Sequence, residues 1–235
     1  TSLPIEDLVQ ASDNPISELI HEINNEENLV ARELLLKLEK LAENGPVPSL
    51  VDADTSVGRT LEKYLGIDIN SSKKPDYKGI ELKSFRGGRR NRKNLFAQVP
   101  DWDISKMKSS KEILEVFGYH RDEDFKLYCT VSSISPNSQG LYLNIDSKNN
   151  ILNESSTDAT IGNFVCWRIR TLENRLKEKH RETFWIEAQT VIKDGFEHFL
   201  YTRVEHTRNP IVSQFGFLLE KGIITLDHLI KNKAG

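Results

Sequence analysis

Cysteine is scarce in this chain: two in 235 residues, Cys129 and Cys166. Each sits in an apolar run, Leu127-Tyr128-Cys129 and Phe164-Val165-Cys166-Trp167. That placement predicts buried free thiols and a reducing, cytoplasmic setting, and it excludes a disulfide framework. Histidines and cysteines do not cluster at ligand spacing, which argues against zinc. Long hydrophobic runs are missing too, so no membrane span is expected. A positive excess is also lacking. The net charge is −3, which does not mark the whole chain as a nucleic-acid binder.

The distribution of charge is more informative than its sum. Residues 1–44 hold ten acids and three bases, a balance of −7, which leaves +4 on residues 45–235. A mildly basic region of that kind can meet DNA through a local patch. The length suits one large domain or two small ones.

The stretch richest in chemistry is Pro75-Asp76-Tyr77-Lys78-Gly79-Ile80-Glu81-Leu82-Lys83-Ser84. Ile80 and Leu82 predict a strand with both side chains in the core. Residues two apart share a face of a strand, so Glu81 and Lys83 would point together. A turn at Lys78-Gly79 would bring Asp76 beside Glu81. Two adjacent carboxylates repel, which favours a divalent cation or a raised pKa. Hard oxygen donors suit Mg²⁺. A lysine beside the ion can orient or deprotonate a water. These parts suffice for metal-assisted phosphodiester hydrolysis. An alternating strand with a solvated Glu/Lys face is the ordinary alternative.

The rest of the chain sets expectations around that stretch. Residues 1–44 read as helical, in two helices, with Pro15 at a helix start and Gly45-Pro46-Val47-Pro48 ending the second. Asp52 and Asp54 are candidate caps for a helix carrying Val57, Leu61, Glu62 and Leu65. After the motif, Arg86, Arg89, Arg90, Arg92 and Lys93 surround Gly87-Gly88 in a loop suited to the phosphate backbone. Leu95 to Trp102 is expected as a short strand ending at Pro100, and residues 111–117 as a short helix. Phe125–Ile134 and Leu141–Ile145 give a hairpin signal, and residues 148–160 read as polar and exposed. Phe164 to His180 is expected as one helix. Two strands, residues 183–191 and 196–204, flank a Lys193-Asp194-Gly195 turn. They lead to Arg203, His206, Arg208 and Asn209, types that read base edges: Arg pairs with guanine and Asn with adenine. A helix from residue 211 to 219 and a strand over residues 223–226 close the chain.

The run Gly58-Arg-Thr-Leu61-Glu62-x-x-Leu65-Gly66-Ile67, Asn70-Ser71-Ser72, Pro75-Asp76 and Gly79-Ile80-Glu81-Leu82-Lys83-Ser84 resembles the MvaI/BcnI restriction endonucleases. It is also similar to the MutH branch of the PD-(D/E)xK nucleases. The resemblance covers residues 57–102 well and resumes loosely from 172 onward. It implies an α/β restriction-endonuclease-like fold, a mixed sheet flanked by helices, in two lobes around a DNA cleft. Residues 1–45 would form a helical segment packed on a nuclease domain spanning 46–235. Its catalytic part would lie near 50–105 and its DNA-recognition part near 164–235. The implied activity is that of a type II endonuclease. It would cut duplex DNA at a pseudopalindromic site of the CC-x-GG type, as a prokaryotic, cytoplasmic monomer.

By the same resemblance Asp76, Glu81 and the Leu82 carbonyl would hold Mg²⁺. Mn²⁺ is expected to substitute, and Ca²⁺ to support binding without cleavage. Lys83 would act on the water and Glu62 would support the site. Two alternatives stay open: a MutH-like nicking enzyme that needs a partner, and a non-catalytic DNA-binding module. A further DNA-binding domain ahead of Thr1 in a longer chain also stays open.

Overall fold

The computed structural model describes residues 15–67, 75–88, 92–121 and 123–231, with side chains described from residue 29. The chain folds as two compact units. The first comprises Thr1–Lys93 and Glu182–Arg208, and the second Asn94–Arg181 and Asn209–Gly235. No helix among the described residues is long and apolar enough to cross a membrane.

The first unit is a four-stranded sheet with two helices. Helix α1 spans Pro15–Glu43. Proline suits a first turn, where its missing N–H would be unpaired anyway. Leu34, Leu38 and Leu41 recur at helical spacing and are buried, and Gly45, at a φ of 77°, ends the run. After strand β1 (Val47–Pro48) comes α2 (Ser56–Tyr64), which buries Val57 and Leu61. Strand β2 is Glu81–Arg86. Much later in the chain come β8 (Glu182–Lys193) and β9 (Phe196–Arg208). The strand order is β1-β9-β8-β2. Strands β2 and β8 are parallel, with Leu82 opposite Phe184, and β8 and β9 are antiparallel. Ile80, Leu82, Phe184, Ile186 and Phe199 join the helix leucines in one core.

The second unit holds two three-stranded sheets. One pairs β3 (Tyr119–Arg121), β4 (Asp124–Val131) and β10 (Leu226–Lys231). The other pairs β5 (Leu141–Asp146), β6 (Ile151–Ser156) and β7 (Asn163–Arg168). Helices α3 (Ser110–Phe117), α4 (Ile169–His180) and α5 (Phe215–Glu220) complete it. Leu127, Leu143, Phe164, Trp167, Leu172 and Phe215 share its core.

Several expectations are corrected. Residues 15–43 form one helix, not two helices. Thr55, not Asp52 or Asp54, precedes α2, and no side chain caps it. Residues 92–100 form no strand. Side chains use their carbonyls: His180 Nε2 lies 2.7 Å from the Leu95 oxygen, and Trp167 Nε1 donates to that of Gln98 at 3.3 Å. β4 and β5 exist but lie in different sheets, because alternation reveals a strand and not its partner. Residues 148–160 include β6, whose Glu154 is fully buried against His228 at 2.8 Å. The expected helix over 164–180 is a strand and then a helix. Phe164 to Trp167 are four consecutive buried residues, which suits a strand covered on both faces. The last strand begins at Leu226 and not at residue 223.

Candidate active site

The motif begins with a two-residue turn. Lys78 and Gly79 both have positive φ, 46° and 96°, the conformation that closes tight hairpins and that glycine adopts without strain. Tyr77 and Ile80 exchange backbone hydrogen bonds across it, at 2.9 and 2.8 Å. The turn is tied to α1: Tyr77 Oη donates to Glu33 at 2.8 Å and Lys78 Nζ at 2.6 Å. Lys78 therefore holds the Glu33 carboxyl below its usual range.

This folding-back returns Asp76 to the strand. The Leu82 N–H donates to Asp76 Oδ2 at 2.9 Å. Glu81, on β2, is only 1% exposed. Lys83 Nζ sits 2.9 Å from Glu81 Oε1, and Leu82 faces the core between them. Glu62 approaches from α2. Burial pushes its carboxyl above the ordinary value, and the Asp76 charge adds to that. Arg59 and Lys83 pull the other way, and Glu81 adds a smaller upward push. Glu62, Asp76, Glu81 and Lys83 are thus one electrostatic cluster. Among the described residues, no three His, Cys, Asp or Glu side chains form a ready-made metal cage.

Strand register extends this face. Glu81 lies opposite Thr183, Lys83 opposite Trp185 and Phe85 opposite Glu187. Across the next pair, Thr183 meets Thr207, Trp185 meets Glu205 and Glu187 meets Arg203. Cross-strand partners share a face, so nine side chains stand in three rows beginning at the catalytic candidates. Trp185 is held by its Nε1 donating to Thr207 Oγ1 at 3.0 Å. Trp185 and Glu205 escaped the sequence reading, although the alternation of residues 183–187 carried the signal for Trp185.

The basic candidates separate by what they touch. Arg86 points into its own unit: Nε and Nη2 donate to Glu197 at 3.0 Å each. Nη2 also donates to Ser56 Oγ at 2.8 Å, and Nη1 to the Asp54 carbonyl at 3.1 Å. Lys93 stays on the rowed face, 3.2 Å from Glu205 Oε2. Arg92 is exposed. Arg89 and Arg90 lie outside the described residues. At the far end, Arg203 Nη2 pairs with Glu205 at 2.8 Å. His206 and Arg208 share Glu182 Oε1, each at 2.8 Å. Asn209 follows β9, exposed, at a φ of 50°.

Residues 35–235 match the model of the MvaI/BcnI restriction endonuclease family. The chain belongs to that family. Membership makes it a nuclease by lineage. The chain is also similar to the solved complex of restriction endonuclease MvaI with cognate DNA. The identity is 20%, over 87% of this chain and 85% of that one, with a TM-score of 0.75. That likeness shows the mixed α/β fold of MvaI. MvaI in the absence of DNA aligns at 19% identity and a TM-score of 0.43, covering 88% of this chain and 85% of that one. No curated protein matches by sequence. The α2 helix, the motif turn, strand β2 and the β8–β9 hairpin all fall inside the span matched to the MvaI/BcnI family.

Proposed function

We propose that this chain is a type II restriction endonuclease of duplex DNA, working with Mg²⁺ at a short pseudopalindromic site of the CC-x-GG type, as a monomer. One observation carries the chemical part: a buried Glu81 sharing a strand face with Lys83 at 2.9 Å, with Asp76 returned to the same strand.

The donor set fits the metal. Asp76, Glu81 and the Leu82 carbonyl are hard oxygen ligands, and they are too few to enclose an ion alone. Mg²⁺ keeps several waters and takes one or two carboxylates plus substrate phosphate, so a partial cage suits it. When bound, Mg²⁺ neutralises charge on a phosphate and makes a water more acidic. The chain's own residues do the rest. Lys83, paired with Glu81 at 2.9 Å, would position the attacking water. Glu81 keeps that ammonium oriented through its ion pair. Glu62, with its carboxyl raised, is placed to support the water or a ligand. Hydrolysis would leave 5′-phosphate and 3′-hydroxyl ends.

Digestion of unmethylated phage DNA by the purified chain, with Mg²⁺ or with EDTA, followed by end sequencing, tests the reading. Discrete Mg²⁺-dependent fragments are expected, and the ends give the site. Nicked circles alone would favour the MutH-like strand-specific reading. Absence of cleavage in any divalent metal would overturn it.

A further inference from the structure

Three rows of side chains run from Glu81 and Lys83 across the sheet, and their far corner carries an assembly that hydrolysis does not use. Lys93 Nζ lies 4.9 Å from the Phe85 ring centroid and 5.1 Å from that of Trp185. It is also 3.2 Å from Glu205 Oε2. The other oxygen of Glu205 is 2.8 Å from Arg203 Nη2. One carboxylate thus holds two cations, one of which, Lys93, also lies over two aromatic rings. All three charged side chains are accessible, at 36% for Lys93, 43% for Glu205 and 66% for Arg203.

We propose that Lys93 and Arg203 form a DNA-phosphate site on the catalytic face, and that Glu205 is the exchangeable counter-ion occupying it until a backbone phosphate takes its place. The site presupposes the duplex substrate proposed above and deepens it. Glu205 and a phosphodiester each carry one negative charge and offer oxygen acceptors to the same donors. Exchange therefore keeps one anion on the two cations, while the displaced Glu205 carboxylate turns to solvent. The rings of Phe85 and Trp185 hold the ammonium in place whichever anion is present. Trp185 is the cross-strand neighbour of Lys83. Phe85, the other ring under Lys93, is two residues on from Lys83 along β2, so a phosphate at Lys93 would lie within about one row, or about 7 Å, of Lys83. That is within one or two phosphates along a strand. Arg203, expected from sequence to read a base, is here a backbone contact. Glu205 becomes a determinant of affinity.

The test is duplex binding by fluorescence anisotropy in Ca²⁺, from 50 to 200 mM KCl. Glu205→Gln should bind tighter, by up to about fivefold for each ion pair released, with the salt slope of the wild type. Lys93→Ala should bind more weakly, with the slope shallower by about 0.9, and Lys93→Arg should restore that slope. The gain from Glu205→Gln should shrink in the Lys93→Ala background. Thermal melts confirm that each variant is folded. Binding by Glu205→Gln no tighter than wild type, or an unchanged slope in folded Lys93→Ala, overturns the site. Mg²⁺ cleavage by the wild type is scored separately. A chain that cuts DNA but lacks these binding changes refutes the exchange alone, and one that shows them without cutting refutes the nuclease reading alone.

Discussion

Removing the Arg86 guanidinium separates two roles that composition cannot separate. The side chain lies at the end of β2, and four of its hydrogen bonds tie it to its own unit. Two form a fork onto Glu197, one reaches the buried Ser56 hydroxyl, and one the Asp54 carbonyl. Its guanidinium carbon also sits 5.3 Å from the Phe199 ring centroid. Arg86 and Glu197 are 30% and 27% exposed, so the pair lies between a surface bridge and a buried one. Buried charged hydrogen bonds contribute about 1.5–3 kcal/mol and surface pairs about 0–1 kcal/mol, so about 2 kcal/mol is expected for the cluster. For a chain of this length that corresponds to a melting temperature lowered by about 4–8 °C in Arg86→Ala. Lysine lacks the planar fork and should recover only part of the loss.

The pH dependence of that loss follows from Glu197. Arg86 holds its carboxyl below the ordinary 4.5. A depressed carboxylate contributes stability above its unfolded pKa and loses it as pH falls through the folded value. The gap between wild type and Arg86→Ala should therefore be full at neutral pH and close in acid. Differential scanning fluorimetry from pH 3 to 8 measures it. A variant melting within about 1 °C of wild type, with a DNA-binding salt slope shallower by about 0.9, would refute the clamp and restore Arg86 to the phosphate backbone.

The remaining predictions concern the site and one tight packing contact. Lys83→Ala should abolish cleavage while leaving sequence-specific binding in Ca²⁺, read by gel shift; retained cleavage removes Lys83 from the chemistry. Glu62→Gln should cut more slowly yet melt at a higher temperature than wild type at neutral pH. A raised carboxyl gives stability that is full below the ordinary 4.5 and lost as pH rises through the folded value. The amide escapes that loss, so the two melting curves should converge in acid. Gly118→Ala should destabilise by about 1–3 kcal/mol in chemical denaturation. An added Cβ would meet the Leu114 carbonyl and approach Phe125 Cζ to 2.6 Å.

The geometry of the motif stretch was legible because its logic is local. A positive-φ pair at Lys78-Gly79, an alternating strand and an acid six residues before Leu82 suffice to place Asp76, and none of these depends on distant chain. The β8–β9 hairpin was legible for the same reason: Asp194 and Gly195, at φ values of 51° and 81°, close it. Errors gathered where a residue's environment is decided by distant partners. Phe164 to Trp167 resemble a helix start until both of their faces are found covered. Polar β6 looks solvated until His228, seventy-four residues on, meets Glu154. Arg86 gains its partner Glu197 from β9, more than a hundred residues on, which its own stretch does not reveal.

The same reasoning explains why the motif corner tolerates so much charge. Glu62, Asp76 and Glu81 place three carboxylates against the Lys83 and Arg59 cations. Burying Glu81 at 1% exposure strengthens every such interaction, attractive or repulsive. The fold answers with fixed donors: the Leu82 N–H for Asp76 and the Lys83 ammonium for Glu81. These hold the two carboxylates in place although mutual repulsion would spread them. What is left over is a net negative corner beside Lys93, held over two rings, and Arg203. A corner with that polarity favours a divalent cation, and the neighbouring cations favour a polyanion. A duplex brought with Mg²⁺ satisfies both demands at once. Glu62→Gln tests the first demand and Glu205→Gln the second, and because Glu62 stands on α2 and Glu205 on β9 with separate charged partners, their effects on cleavage and on binding should add in the double variant.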